Sequence, residues 1–335
     1  MSLIPRMRRT SLAIPILVAV GLVSGCVSEN TDSPAAHGTS APKTLRISAT
    51  GLDSLPFMAI IQVAKDKGWF VQAGLNVSLF SGSGGGNTLR AVSTGDADVA
   101  IAGNTSVLLA ATKPGSGLRI IAPWFQVNDF YWITPQTGVT LDKASLGFSG
   151  AGSTTELIVK ALQHKYKGIA PVQVGQMGDN WAAAKASRIS AGWAMHPFVT
   201  EKQEQEKARV LVASRDVIGD FPADLVAVSE SYAKDNAAVL STFFTVMDKT
   251  FKYVSDDPAD AAKSLAPLIK VDAPVLERGL RQTPRLAEAY SLKVDLKALQ
   301  RLSDLMVQVG QLDQPVDWKT TLDQQYLPAD ARTGL

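Results

Sequence analysis

Residues 75–102 read LNVSLFSGSGGGNTLRAVSTGDADVAIA, and this stretch decides the fold. Leu75 to Phe80 alternates apolar and polar side chains, as a half-buried strand does. A glycine-rich break follows at Gly82, Gly84, Gly85 and Gly86. Asn87 to Thr94 then has helical spacing, and Asp98 to Ala102 is a second short run of strand type. Strand, glycine loop, helix and strand in that order form a βαβ unit, whose crossover makes the two strands parallel.

The same rhythm extends in both directions. Upstream, Thr44 to Ala49 reads as a strand and Pro56 to Lys67 as a helix, with Pro in the first turn and Gly68 at the end. Downstream, Asn104 to Thr112 is a helix and Leu118 to Pro123 a strand. The alternation restarts at Ser145. Strands at 145–149, 172–175 and 189–194 are followed by helices at 154–164, 180–186 and 197–207, and a further strand spans 209–213. Two such halves predict an α/β protein of two lobes, each a mainly parallel sheet flanked by helices. Crossovers are expected at Trp124–Thr134 and Phe221–Val228. Lobe 1 is then 44–125 plus 226–335, and lobe 2 is 126–225. The last third has helical apolar spacing at 236–255, 258–268, 273–281 and 296–311, and is expected to pack on lobe 1.

The N-terminus carries a different signal. Arg6, Arg8 and Arg9 precede an apolar run from Leu12 to Val23, and Ser24, Gly25 and Cys26 follow. A basic segment, a short apolar segment and small residues form a secretory signal over residues 1–25, too short for a spanning helix. Val23-Ser24-Gly25-Cys26 resembles the bacterial lipobox, which implies lipidation of Cys26. Residues 26–43 are polar and read as a flexible tether. The chain is expected on the periplasmic or extracellular face of the envelope, held by lipid alone. With 33 basic and 31 acidic residues the formal charge is +2, which gives no footprint for nucleic acid. One cysteine excludes an intrachain disulfide.

Several segments together resemble a known family. Gly68-Trp69-Phe70, Ala73-Gly74-Leu75-Asn76-Val77, the glycine run 81–86 and Thr94-Gly95-Asp96-Ala97-Asp98-Val99-Ala100 stand in order. Gly150-Ala151-Gly152-Ser153-Thr154-Thr155-Glu156-Leu157 and Trp193-Ala194-Met195-His196-Pro197-Phe198 continue the pattern. The set is similar to the solute-binding proteins for nitrate, sulfonate and taurine, a group that includes binders of thiamine-pyrimidine precursors. The resemblance implies a type II periplasmic-binding-protein fold and a monomer that delivers a small ligand to an ABC permease and its ATPase, without a cofactor. Two positions depart from the pattern: Ser190 stands where an acid is usual, and His196 where Glu is common.

In open α/β sheets ligands sit beyond the carboxyl ends of strands. That rule selects Ser54 and Leu55, Ser83, Gly84 and Gly85, and Asn104 and Thr105 in lobe 1, and Gly150, Ser153, Thr154 and His196 in lobe 2. Glycines permit close backbone approach, and helix N-termini present free N–H groups suited to a sulfonate, nitrate or carboxylate. The same residues also make ordinary helix caps and surface loops. Aromatic residues cluster at Trp124, Phe125, Phe130, Tyr131 and Trp132, with Trp193 at a strand end. Trp124 and Trp193 are the candidates to flank an organic ligand; packing of the hinge and core is the alternative.

An enzyme is not expected. Only His37, His164 and His196 exist, no metal-binding or P-loop motif is present, and 147–151 misses the G-x-S-x-G pattern at its last position. The family includes a pyrimidine-forming enzyme that uses its own histidine as a reactant, and the export signal argues against that activity here. The expected ligand is an alkanesulfonate or taurine-like solute, then a heteroaromatic vitamin precursor, then nitrate.

Overall fold

The computed structural model describes residues 42–334. The signal segment 1–25, Cys26 and most of the tether 26–43 lie outside the described residues. Ten strands are described: β1 (Lys43–Ala49), β2 (Leu75–Ser81), β3 (Val99–Gly103), β4 (Leu118–Pro123), β5 (Tyr131–Thr134), β6 (Ser145–Phe148), β7 (Ala170–Gln173), β8 (Gly192–Ala194), β9 (Arg209–Ala213) and β10 (Asp224–Ser229).

The first sheet has the order β2-β1-β3-β10-β4. β1 is parallel to β2 and β3, as the βαβ reading requires. β10 runs antiparallel to both β3 and β4. In the second half β8-β5-β9 and β6-β7 are hydrogen-bonded sets. A parallel bridge between Leu146 and Ala191 joins them, supported by the Gly147 amide donating to Ala191 O at 2.9 Å. The second layer therefore runs β7-β6-β8-β5-β9, the pattern of the first sheet repeated.

Each half contains one antiparallel strand with a common cause. The chain leaves β4 at the carboxyl edge of the first sheet and enters β5 from the facing edge of the second. It comes back the same way from β9 to β10. A strand that enters from the edge where the others end must run against them. The crossovers are accordingly 124–130 and 214–223, and β5 and β10 occupy parts of the segments read from sequence as connections.

Burial follows the period of each element. Leu45, Ile47 and Ala49 of β1 and Val99 to Ala102 of β3 are fully buried. The helix Ala237–Asp256 buries Leu240, Phe243, Phe244, Met247, Phe251 and Val254, an i, i+3, i+4, i+7 stripe packed against the helices Ile61–Asp66 and Trp69–Gln72 and against Trp124. The predicted helix 56–67 is interrupted into Pro56–Ala59 and Ile61–Asp66.

The helical tail departs from expectation by packing on both halves. Arg278 on the helix Ala273–Gln282 makes a bidentate pair with Glu204, both contacts 2.7 Å, and Thr200 donates to Gln282 Oε1 at 2.5 Å. Gly279 permits that approach, because a Cβ there would lie 2.8 Å from Pro197 Cα. The helical spacing gave the buried stripe but not its second partner. Residues 41–335 accordingly cluster as one compact unit, and the largest buried cluster includes side chains of both sheets. No helix among the described residues is long and apolar enough to cross a membrane.

Candidate functional site

The strand-end loops of the two halves meet at a closed seam. Asn104 begins the helix Asn104–Ala111 straight after β3 and is fully buried. Its amide Nδ2 donates to Pro222 O at 2.6 Å. Its Oδ1 accepts from Thr105 Oγ1 and, across the seam, from Thr154 Oγ1, each at 2.9 Å. Beside it Ser106 donates to Gly152 O at 3.1 Å. Glycine allows this closeness: a Cβ on Gly103 would lie 2.8 Å from Thr154 Oγ1, and one on Gly85 would lie 2.5 Å from Ser106 Oγ.

Gly103 has φ −50°, so a larger side chain there is opposed by the seam and not by the backbone. Gly103→Ala is therefore expected to push Thr154 off Asn104 and part the halves, at a cost of about 1–3 kcal/mol. Combining it with Thr154→Ala is expected to restore closure, since the next atom is Thr154 Cβ at 4.0 Å. Small-angle scattering reads the change; an unaltered profile for the single variant would count against a closed seam at Gly103.

The loop at 149–155 is satisfied internally. Ser149 N donates to Thr155 Oγ1 at 2.9 Å, and Ser153 Oγ accepts from Glu156 N at 3.2 Å, capping the helix Thr154–Lys165. Glu156 in turn accepts from Gly152 N at 2.7 Å and pairs with Lys160 at 2.9 Å. An acid in the first turn already occupies the positive end of that helix.

The other predicted residues divide. Ser54 and Leu55 are half-buried, with Ser54 Oγ donating to Gly51 O at 3.3 Å and Leu55 packed against the core. Gly84, at φ +111°, precedes the helix Gly85–Ser93, and exposed Ser83 is left-handed at φ +54°. Gly150 lies near Gln173, whose Nε2 would be 4.0 Å from a Cβ there.

The two tryptophans are not placed as expected. Trp124 is 1% exposed, donates from Nε1 to Phe57 O at 2.6 Å, lies parallel to Phe243 at 6.3 Å and meets Phe251 edge-on at 4.9 Å. Its ring is committed to the core of the first half, because the residue after β4 turns toward the long helix 237–256 rather than the seam. Trp193 donates to Gly175 O at 2.9 Å and rests on Phe130. Its indole likewise ties two parts of the second half together.

A second interlobe feature was not read from the sequence. Phe57, Phe125, Asp129, His196, Leu280 and Tyr290 surround a narrow gap, nowhere wide enough for a water molecule. Phe57 stacks on Phe125 at 4.1 Å, and Phe125 meets Tyr290 edge-on at 5.4 Å. Asp129 is 2% exposed and accepts from Tyr131 Oη at 2.8 Å. Burial pushes its carboxyl up to about 7. His196 packs edge-on against Tyr131, with Nδ1 2.8 Å from Thr200 Oγ1, and burial lowers its pKa to about 4. Of its lining, His196 and the aromatic cluster with Phe125 were singled out from the sequence, whereas Asp129 within the same run was not. Leu280 and Tyr290 are too far along the chain for local pattern to bring them in.

Asp224, opposite Gly103 at the start of β10, is the other buried acid of this region, and burial pushes it up to about 8. A larger groove of about 840 Å³ opens at Asp220, Arg285, Lys293 and Arg301, where Asp220 is already bound by both arginines. It is an open surface groove lined by Gln126, Val127 and Asp220 of the two crossovers and by the helical tail. Among the described residues no group of three His, Cys, Asp or Glu side chains is placed to hold a metal ion.

Two α/β layers of repeated order, crossed twice by the chain and closed at their strand ends, define a protein of the periplasmic-binding-protein fold. Residues 56–261 match the model of the family described as NMT1/THI5 like, more than half of the sequence, and the chain belongs to that family. A search of curated proteins by sequence finds none that matches. Among solved structures the chain is similar to the alkanesulfonate-binding protein SsuA of Xanthomonas axonopodis pv. citri bound to MOPS, with TM-score 0.66 and 16% identity over 84% of this chain and 99% of that one. It is similar to the ligand-binding component of an ABC-type import system from Staphylococcus aureus, with TM-score 0.69 and 16% identity over 87% and 100% of the two chains. The nitrate-binding protein NrtA of Synechocystis aligns with TM-score 0.57 and 14% identity, over 71% of this chain and 70% of that one. At these identities the likeness establishes the fold.

Proposed function

We propose that the protein is the extracytoplasmic substrate-binding subunit of an ABC importer and captures a small organic solute between its two halves. The observation that carries this reading is the direct bond between strand-end loops of separate halves, Thr154 to Asn104, with two chain crossings beside it. Such an arrangement opens and closes as a hinge, and a ligand that touches both sides only in the closed form stabilises it. The solutes of the solved neighbours, a sulfonate and nitrate, favour an anionic or zwitterionic compound. An alkanesulfonate or taurine-like molecule comes first. The aromatic gap favours an organic ligand over bare nitrate, which keeps a heteroaromatic vitamin precursor as the alternative.

Cys26 is the proposed lipid attachment, holding the protein at the outer face of a membrane beside its permease. Cys26→Ala is expected to move the protein from the membrane fraction to the soluble one; unchanged partition would remove the anchor from the proposal. Binding itself is tested by a thermal-shift screen of purified protein with sulfonates, amino-sulfonates, heteroaromatic amines and nitrate. A ligand at a hundred times its Kd adds about 2.7 kcal/mol. A screen in which none of these raises the melting temperature would sink the proposal.

A further inference from the structure

We propose that the gap between Phe57, Phe125, Tyr290 and His196 receives a cationic nitrogen of the ligand, an ammonium or a protonated ring amine, with Asp129 as its counter-charge. This rests on the substrate-binding reading and names a chemistry within it.

The gap lies where both halves, the first crossover and the helical tail converge, so a group held there touches every part that moves in closure. Its walls are apolar, with Phe57 and Phe125 stacked on one another and Tyr290 edge-on to Phe125, a lining that suits an organic cation better than a hydrated inorganic ion. Asp129 points its chemistry into this apolar lining with one partner among the described residues, the hydroxyl of Tyr131. A buried carboxylate without a cation costs several kcal/mol, and a bound cation offsets that cost.

Among the described residues no protein group takes that role. Arg215 acts on Asp129 through space, but its guanidinium lies 3.8 Å from Asp216, and no ion pair joins it to Asp129. His196 stays neutral above about pH 4 and its Nδ1 is engaged by Thr200. The gap is shut even to a water molecule, so the ligand-bound form holds the halves farther apart at the Asn104–Thr154 seam than they stand here, with the ligand bridging them. An anionic end of a zwitterion would then lie away from Asp129, toward the serine and threonine hydroxyls of the strand-end loops.

Two matched pairs test this by calorimetry on the purified protein at pH 8: taurine against isethionate, and benzylamine against benzyl alcohol. Each pair differs in an ammonium replaced by a hydroxyl. The amine of at least one pair is expected to bind tenfold or more tightly than its partner. Asp129→Asn is expected to erase that preference while the melting temperature holds or rises. A hydroxyl compound that binds as well as its amine, or an amine affinity unmoved by Asp129→Asn, overturns the inference and leaves the importer reading standing. If neither pair binds while other sulfonates or nitrate do, the inference also fails alone. If nothing in the wider screen binds, the importer reading fails and takes the inference with it.

Discussion

Trp124→Ala is expected to lower folding stability by about 3–5 kcal/mol, the range for emptying a buried aromatic site. The ring is almost wholly enclosed between Phe243 and Phe251, and its Nε1 satisfies Phe57 O. Truncation leaves a cavity and an unpaired carbonyl together, and the two costs add in the same direction. Chemical denaturation measures the loss. Trp124→Phe separates packing from binding, since it keeps a stacked ring while losing the N–H and part of the indole volume, for about 2–3 kcal/mol. Ligand affinity of the phenylalanine variant is expected to match that of the unaltered protein. A tenfold loss of affinity would return Trp124 to the ligand and refute its placement in the core.

Asp224→Asn is expected to make the protein more stable at alkaline pH. Asp224 is 5% exposed, no hydrogen bond to its carboxyl is found among the described residues, and burial pushes its pKa up to about 8. An unfolded aspartate titrates near 4, so between about pH 4 and 8 the folded state holds a proton that the unfolded state has lost. Stability through this group therefore falls as pH rises across that window and stays low above it. Asparagine cannot ionise and removes the fall. The gain at pH 9 is of the order of 2–4 kcal/mol after relaxation of the site.

Other groups shape the same curve. Asp129, held at about 7, falls in the same direction and remains in the variant. His196, lowered to about 4, acts oppositely: its neutral form gains stability as pH rises from 4 to about 6.5. Comparison is cleanest from pH 6.5 to 9. There the melting temperature of the unaltered protein is expected to drop more steeply than that of Asp224→Asn. Parallel curves would mean that Asp224 is solvated or paired in solution.

Much of this molecule is legible along the chain because its signals are local. The alternation in Leu75–Phe80, the glycine break at 82–86 and the spacing of Asn87–Thr94 are written within one βαβ unit, and their elements appear as β2, the helix Gly85–Ser93 and β3. The rule that ligands sit beyond strand ends selected Asn104 and Thr154, which the fold places in direct contact. It did not give the direction of a side chain at a strand end. Trp124 follows the end of β4 and Trp193 is the middle residue of β8, and both turn into packing.

Sequence by itself determined the repeated α/β halves, the glycine-bearing helix starts and the amphipathic stripe of residues 237–256, since periodicity and backbone freedom act between neighbours. Tertiary structure alone decided that β5 and β10 run against their sheets, that the tail binds both halves, and that Asp129 lies among Phe57, Phe125 and Tyr290. Those outcomes depend on which distant surfaces exclude water from one another. That choice is made by three-dimensional complementarity, and no local pattern of residues encodes it.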